Sequence, residues 1–191
     1  MIIFPSEFDL VNKKISQAVQ NMDKDFYNNI SNDQELIHQI INKLLADINS
    51  DLGDIRIYKE ESCLVGFLIH FSVNELFKKK LYSLKQITEF IKLHDPLNLE
   101  HFKSESKKFA LSMSPINIDN GFYLNKIYIE EKYRGTDKAQ YLLDHFIEAA
   151  HLNNLVPCLH VHKDNFRAIR FYKKYGFSIT HSNYDYLFAH I

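Results

Sequence analysis

The chain has 191 residues, enough to bury a full hydrophobic core and suited to one domain. Apolar residues make up 46% and charged residues 25%, the balance of a soluble globular protein, and a formal net charge of −1 lacks the basic excess of a general nucleic-acid binder. The longest apolar run, 63–71, falls well short of a membrane span, and 1–5 lack the basic region of a signal peptide, so a cytoplasmic protein is expected.

Phe8, Val11, Ile15, Ala18 and Val19 recur at helical spacing after Ser6, a suitable N-cap, and predict a first helix. Leu36, Ile37, Ile40, Ile41, Leu44, Leu45 and Ile48 predict a second, capped by Ser31, Asn32 or Asp33. Both stripes read as core contacts rather than as a partner groove. Ile55 and Ile57 open a strand that turns at 60–62 into a largely buried strand over 63–73, forming a hairpin. Cys63 and Cys158 lie in apolar runs without metal-type spacing, so both are expected as buried free thiols of a reducing compartment.

A helical insertion follows over 74–115, with Leu76, Phe77, Leu81, Leu84, Ile87 and Ile91 as its apolar stripe. Lys78, Lys79, Lys85 and Lys92 fall on the other face. The run Lys78, Lys79, Lys80 reads as a solvated helix face in preference to a site for an acidic acceptor. After 94–96 the segment turns polar, with Lys103, Glu105, Lys107 and Lys108, and reads as mobile.

From residue 122 onward strands and helices alternate: a strand over 122–130, a helix over 139–152, and a short strand over 158–162. Asp164 or Asn165 then opens a helix that runs through Lys174 and stops at Gly176, before two final strands near 177–180 and 184–189. This alternation is an α/β signature. His160 and His162 share one face of a strand, the spacing of a metal half-site, but no cysteine or carboxylate completes it and an incidental pair is preferred.

The most informative segment is 131–140, where a strand turns through Gly135 into a helix. Such a junction leaves backbone N–H groups unpaired, and with the helix dipole and nearby basic side chains they form a site for a phosphate-bearing ligand. The chain has only five glycines, which gives the placement of Gly135 added weight.

Three segments support that reading in a fixed order. The strand Leu124-Asn125-Lys126-Ile127-Tyr128-Ile129 comes first. Next is Tyr133-Arg134-Gly135-Thr136-Asp137-Lys138-Ala139-Gln140, leading on to Leu143. Last is 161–177, with Asn165, Ala168, Tyr172, Gly176 and Phe177. Together they resemble the GNAT superfamily of acyl-CoA-dependent N-acetyltransferases: its central strand, its arginine-glycine loop with the following helix, and its asparagine, alanine, tyrosine and glycine-phenylalanine signature. The resemblance covers the C-terminal third of the chain. It implies an α/β fold: a GNAT-like mixed, mostly antiparallel central sheet flanked by helices, in one domain over 1–191, with the helical insertion before the central strand.

The resemblance also implies roles. Backbone groups at Ile127, Tyr128 and Ile129 would pair with the pantetheine arm of acetyl-CoA, the cosubstrate, and an N–H there would polarise the thioester carbonyl. Arg134, Gly135, Thr136, Asp137, Lys138, Ala139 and Gln140 would hold the pyrophosphate. Asn165 would contact the pantetheine or hold the loops around it, Ala168 belongs to the same cofactor-binding signature, and Tyr172 would give a proton to the departing thiolate. The partners implied are acetyl-CoA and an amine-bearing acceptor, small molecule or peptide, with no nucleic acid, membrane or metal; a homodimer stays open.

The loop departs from the family pattern twice. Lys132 stands where glutamine or arginine is usual and keeps a donor and a charge. Asp137 stands where glycine or alanine is usual; either it caps the helix beginning near Ala139, the preferred reading, or it faces the phosphates. The activity implied is acetyl transfer to an amine by direct attack. The alternative, which Asp137 keeps open, is a catalytically weak or inactive GNAT-fold protein that binds acyl-CoA or acts through protein contacts. Glu130 and Glu131 read as solvated strand-end acids. The insertion is expected to line or cover the acceptor site; otherwise it is a packing embellishment or an oligomer interface.

Overall fold

The computed structural model describes residues 2–3, 12–61, 63–180 and 182–191. Ser6, Phe8 and Val11 of the expected first helix lie outside them; the described helix α1, Asn12–Met22, buries Ile15, Ala18 and Val19.

Period-two alternation of apolar residues builds one sheet. Its described strands are β1 (Ile2–Ile3), β2 (Ile55–Glu60), β3 (Cys63–Ser72), β4 (Gly121–Ile129), β5 (Val156–His162), β6 (Ser178–Ile179) and β7 (Tyr186–His190). They lie in the order β1-β2-β3-β4-β5-β7-β6, and among them only β4 and β5 pair in parallel. This is the mixed, mostly antiparallel sheet that the sequence implies.

Alternation gives the sheet two buried faces. On one, Ile57, Phe67, Ile69 and Tyr123 pack in a common cluster with α1, with α3 (Gln34–Leu45), and with two helices of the segment between β3 and β4, α4 (Val73–His94) and α5 (Leu99–Leu111). On the other, Val65, Leu68, Phe122, Leu124, Leu159 and Val161 pack with α6 (Lys138–Leu152) and α7 (Phe166–Lys174). A short helix α2, Lys24–Asn28, follows α1.

Asp33 caps α3, its Oδ1 accepting from the N–H groups of Glu35 at 2.9 Å and Leu36 at 3.2 Å. That helix ends at Leu45, so Ile48 falls beyond it and is 61% exposed. Glu75 starts α4 by accepting from both the N–H and the hydroxyl of Ser72, at 3.3 and 2.9 Å.

Four expectations need correction here. Cys63 is exposed, because it is the first residue of β3 beside the hairpin turn; only Cys158 is buried. The polar stretch after 96 is the helix α5, anchored by buried Phe102 with Leu99 against the core. Phe77 and Leu81, expected in the core, are 78% and 55% exposed. Lys79, expected in solvent, is buried, and its Nζ donates to the carbonyls of Ile48 at 2.5 Å and Ser50 at 3.5 Å. Lys80 also leaves the solvated face to bridge Asp51 at 3.6 Å and donate to Asn125 Oδ1 at 3.3 Å. These contacts tie α4 to the turn before β2 and to the central strand.

Candidate active site

The central strand is where the sheet opens. Residues Gly121 to Leu124 of β4 pair with Val156 to Leu159 of β5, and the ladder stops there although both strands continue. The β3–β4 register shifts between Ile69 and His70, whose partners are Lys126 and Leu124, so Asn125 is the extra residue of a bulge. Beyond it, the Glu130 N–H donates to Val65 O at 2.9 Å. Antiparallel strands alternate the direction of their backbone groups. Tyr128 therefore spends its groups on Phe67 of β3, while Ile127 and Ile129 turn theirs toward the gap left by β5. This corrects the expectation that all three backbones face the pantetheine arm: Tyr128 lines the groove without offering it a main-chain rung.

The groove starting at this gap holds about 670 Å³. At its far end a 3-10 turn, Glu131–Tyr133, leads into Arg134 in extended conformation and then Gly135 at φ +86°. A Cβ on Gly135 would meet nothing within 4 Å, so glycine is required there for its left-handed backbone and not for space. Arg134 folds back, its Nε donating to Ile129 O at 3.1 Å with the guanidinium over the Tyr128 ring. Asp137 does not cap the start of α6, and although the Lys138 N–H donates to Thr136 Oγ1 at 3.4 Å, the N–H groups of Ala139 and Gln140 remain available to an anion.

Asp137 is not the cap that the sequence suggested. It occupies the position but has φ −71° and ψ −8°, already helical, and its carboxylate bonds no backbone N–H. A capping side chain needs an extended backbone to fold back over the turn. Asp137 and Lys138 are also the two expected cofactor-binding residues that do not line the groove; Lys138 is turned away to pair with Glu60 of the hairpin. Arg134, Gly135, Thr136, Ala139, Gln140, Asn165, Ala168, Tyr172 and the three β4 residues all line it.

Asn165 does cap its helix, Oδ1 accepting from the Ala168 N–H at 3.1 Å. We expect Asn165→Ala to lower unfolding free energy by about 1 kcal/mol in urea titrations, the usual worth of an N-cap. Asp137→Ala should cost less than about 0.5 kcal/mol, since only a salt-screened attraction to the helix dipole is lost.

At the other end of α7, Gly176 has φ +86°. Its N–H donates to Lys173 O at 3.1 Å and the Phe177 N–H to Tyr172 O at 3.1 Å, the two bonds of a Schellman termination. The residues this motif brings together are Phe177 and Tyr172, their rings 5.5 Å apart. The glycine-phenylalanine pair of the signature thus has a physical purpose, holding Tyr172 by backbone and ring together. Tyr172 is 7% exposed and lines the groove, its hydroxyl has no hydrogen bond among the described residues, and burial pushes its pKa well above the ordinary phenol value.

The groove also takes residues that the sequence did not suggest. Arg167, Phe171 and Lys174 line it along one stripe of α7, and Tyr175 joins Ala168 and Tyr172 on the next. Helical spacing from the named signature residues was the signal that would have found them. His160, at the point where β5 leaves β4, is not half of a metal site. Its Nε2 lies 2.8 Å from Ser114 O and its Nδ1 3.1 Å from the Tyr123 hydroxyl, so both nitrogens are taken. No cluster of three metal-ligating side chains occurs among the described residues.

One groove thus brings together a helix start with free N–H groups, a gap beside the central strand and a buried tyrosine. Sequence comparison decides the family: the model of the acetyltransferase (GNAT) family matches residues 17–177. The chain belongs to the GNAT acetyltransferase family. Acetyl transfer is the family's general reaction and acetyl-CoA its cosubstrate.

Solved structures share the fold. An N-acetyltransferase from Staphylococcus aureus Mu50 is 18% identical, with a TM-score of 0.62 over 100% of this chain and 98% of that one. A second acetyltransferase crystal structure is 18% identical, with a TM-score of 0.68 over 100% and 96% of the two chains. The PaiA N-acetyltransferase of Thermoplasma acidophilum, solved in complex with coenzyme A, is 15% identical, with a TM-score of 0.55 over 100% and 96%. No curated protein matches the chain in sequence. The family match reaches well past the C-terminal third in which the motifs lie, taking in α3, the hairpin and the insertion. No described helix is long and apolar enough to cross a membrane.

Proposed function

We propose that this GNAT protein is an N-acetyltransferase that moves the acetyl group of acetyl-CoA directly to an amine, with Tyr172 as general acid, in the cytoplasm. The observation that carries the proposal is buried Tyr172, which lines the groove that begins at the β4–β5 gap and whose hydroxyl has no hydrogen bond among the described residues.

Acetyl-CoA, when bound, supplies a thioester carbonyl open to an amine and a thiolate able to depart. The geometry of the chain supports a part for each of its own groups. The helix start of α6 and Arg134 are suited to the pyrophosphate, and the backbone groups of Ile127 and the N–H of Ile129 to the amide-bearing arm. A main-chain N–H at that gap polarises the carbonyl as negative charge develops on its oxygen. Because burial raises its pKa, Tyr172 stays protonated throughout the neutral range and has a proton to give the sulfur.

Neither cysteine competes with direct attack. Burial pushes the Cys158 thiol up to about 12, and Cys63 lies outside the groove at the start of β3. Asp137, the reason to consider a non-catalytic protein, does not line the groove either, which favours the enzyme reading.

The test is calorimetric titration with acetyl-CoA, followed by a thiol-release screen over diverse amines. We expect micromolar-range binding and release with at least one amine, with sequential steady-state kinetics. Binding without release over the whole panel supports the non-catalytic alternative, and a ping-pong pattern or an isolable acetyl-enzyme rules out direct attack.

A further inference from the structure

A second cavity lies on the opposite side of β4 from α7, walled by α2, α4, α5 and the central strand, and holds about 630 Å³. Asp23, Asn125, Lys126, His160 and Tyr186 line both this cavity and the cosubstrate groove, so the two meet at the bulge in β4. We propose that this cavity holds the acceptor, and that the acceptor is a primary amine on an apolar, ring-sized body, an arylalkylamine in chemical class. That the occupant bears an amine rests on the acetyl-transfer reading above; the character of its body rests on the cavity itself.

Phe26, Leu76, Leu84, Phe109, Met113 and Ile116 give the walls a continuous apolar part. Phe77 and Leu81, the two residues of α4 that leave the core, also line the cavity while remaining largely exposed, which makes an apolar mouth. A ring entering there removes its own surface and theirs from water.

Charge excludes the other common amines. Two carboxylates line the cavity and each faces a lysine: Asp23 pairs with Lys126 at 2.5 Å, and Asp51 with Lys80 at 3.6 Å. A polyamine would bring two or more positive charges into a space whose negative charge is already matched. An amino sugar would set hydroxyls against the apolar side chains of the mouth and of the α4 and α5 walls. The hydroxyls of Ser106, Ser114, Tyr27 and Tyr186 line the cavity without a hydrogen bond among the described residues, and Ser114 is 5% exposed. They suit one or two polar substituents on an otherwise apolar body.

The amine end points to the junction. Lys126 occupies Oδ2 of Asp23, and Oδ1 has no hydrogen bond among the described residues. An amine N–H donating to Oδ1 would sit where the cavity opens into the groove, beside the gap that holds the cosubstrate arm.

The test is calorimetric titration of the intact chain, loaded with CoA, with 2-phenylethylamine, spermidine and glucosamine. We expect 2-phenylethylamine to bind at least tenfold more tightly than either of the others. Ala110→Trp, at an exposed α5 position on the cavity wall, should weaken it at least tenfold and change the Kd for CoA less than twofold. Phe77→Asp at the mouth should weaken it severalfold. No binding of 2-phenylethylamine, equal or tighter binding of spermidine or glucosamine, or indifference to Ala110→Trp overturns the inference. Thiol release judges the proposed function separately. Acetylation of hydrophilic amines alone keeps the transferase and removes this acceptor class, whereas tight 2-phenylethylamine binding without any release does the reverse.

Discussion

Tyr172→Phe should lower kcat by about a hundredfold or more while leaving the Kd for acetyl-CoA within about twofold, the range expected when a positioned general acid is lost. The substitution removes one oxygen. The ring stays, and with it the contact to Phe177 that the Schellman turn imposes, so the wall of the groove and the end of α7 should be unchanged. The hydroxyl makes no hydrogen bond to the described protein, which means its removal orphans no partner and should cost little stability. The split between kcat and affinity is the informative result. A proportional rise in Kd would assign Tyr172 to cosubstrate binding, and unchanged kcat would remove it from the proton path. Acceptors with weaker leaving-group demands are no escape, because the thiolate is common to all of them.

Stability should fall steeply between pH 6.5 and pH 4. Burial holds His160 at about 4, and burial holds His70 at about 4 as well, both below the ordinary value near 6.5. With the folded pKa depressed, the unfolded chain binds more protons in this window, and unfolding free energy therefore decreases as pH falls. Above about pH 7 neither histidine is charged in either state and the effect vanishes; below about pH 4 it is complete. At pH 5 each contributes a loss of about 2 kcal/mol, an upper figure because His160 is not fully enclosed. His70 sits with its ring 4.5 Å from that of Phe122 and its buried Nδ1 has no partner among the described residues. His70→Phe keeps the stacking and removes the titration, so it should recover about half of the loss at pH 5. Urea unfolding at pH 7.5, 6, 5 and 4.5 measures both. A flat profile down to pH 5 would show that these rings take up protons without resistance from the fold.

The C-terminal part was legible because its signals are local. A strand read by alternation, a glycine at a forced left-handed turn, and a helix opened by Asn165 and closed at Gly176 each depend on a few neighbouring residues. The insertion was harder, since helical spacing marks an apolar stripe without saying what covers it. Ile87 and Ile91 meet the core, whereas Phe77 and Leu81 of the same stripe reach beyond it to the cavity mouth. Lys79 was misread because the carbonyls that bury it, Ile48 and Ser50, belong to a turn about thirty residues earlier. Asp137 was misread because residue type suggests a cap but only the backbone angles make one. The bulge at Asn125 shows in the sequence only as a break in alternation, with Phe122 and Leu124 followed by Ile127 and Ile129 on the same face, a step of three that has other readings as well.

The gap between β4 and β5 also bears on how the protein avoids sticking to itself. Strand edges with unpaired main-chain groups are templates for intermolecular pairing, which proteins blunt with charges, prolines or covering elements. Here the open rungs of Ile127 lie inside the sheet, flanked by its own strands on both sides and by α7 along the groove. An approaching polypeptide would carry side chains alternately up and down and would collide with these walls, while an unbranched chain would not. An open rung enclosed in this way is less exposed to pairing with another protein than one at the rim of the sheet.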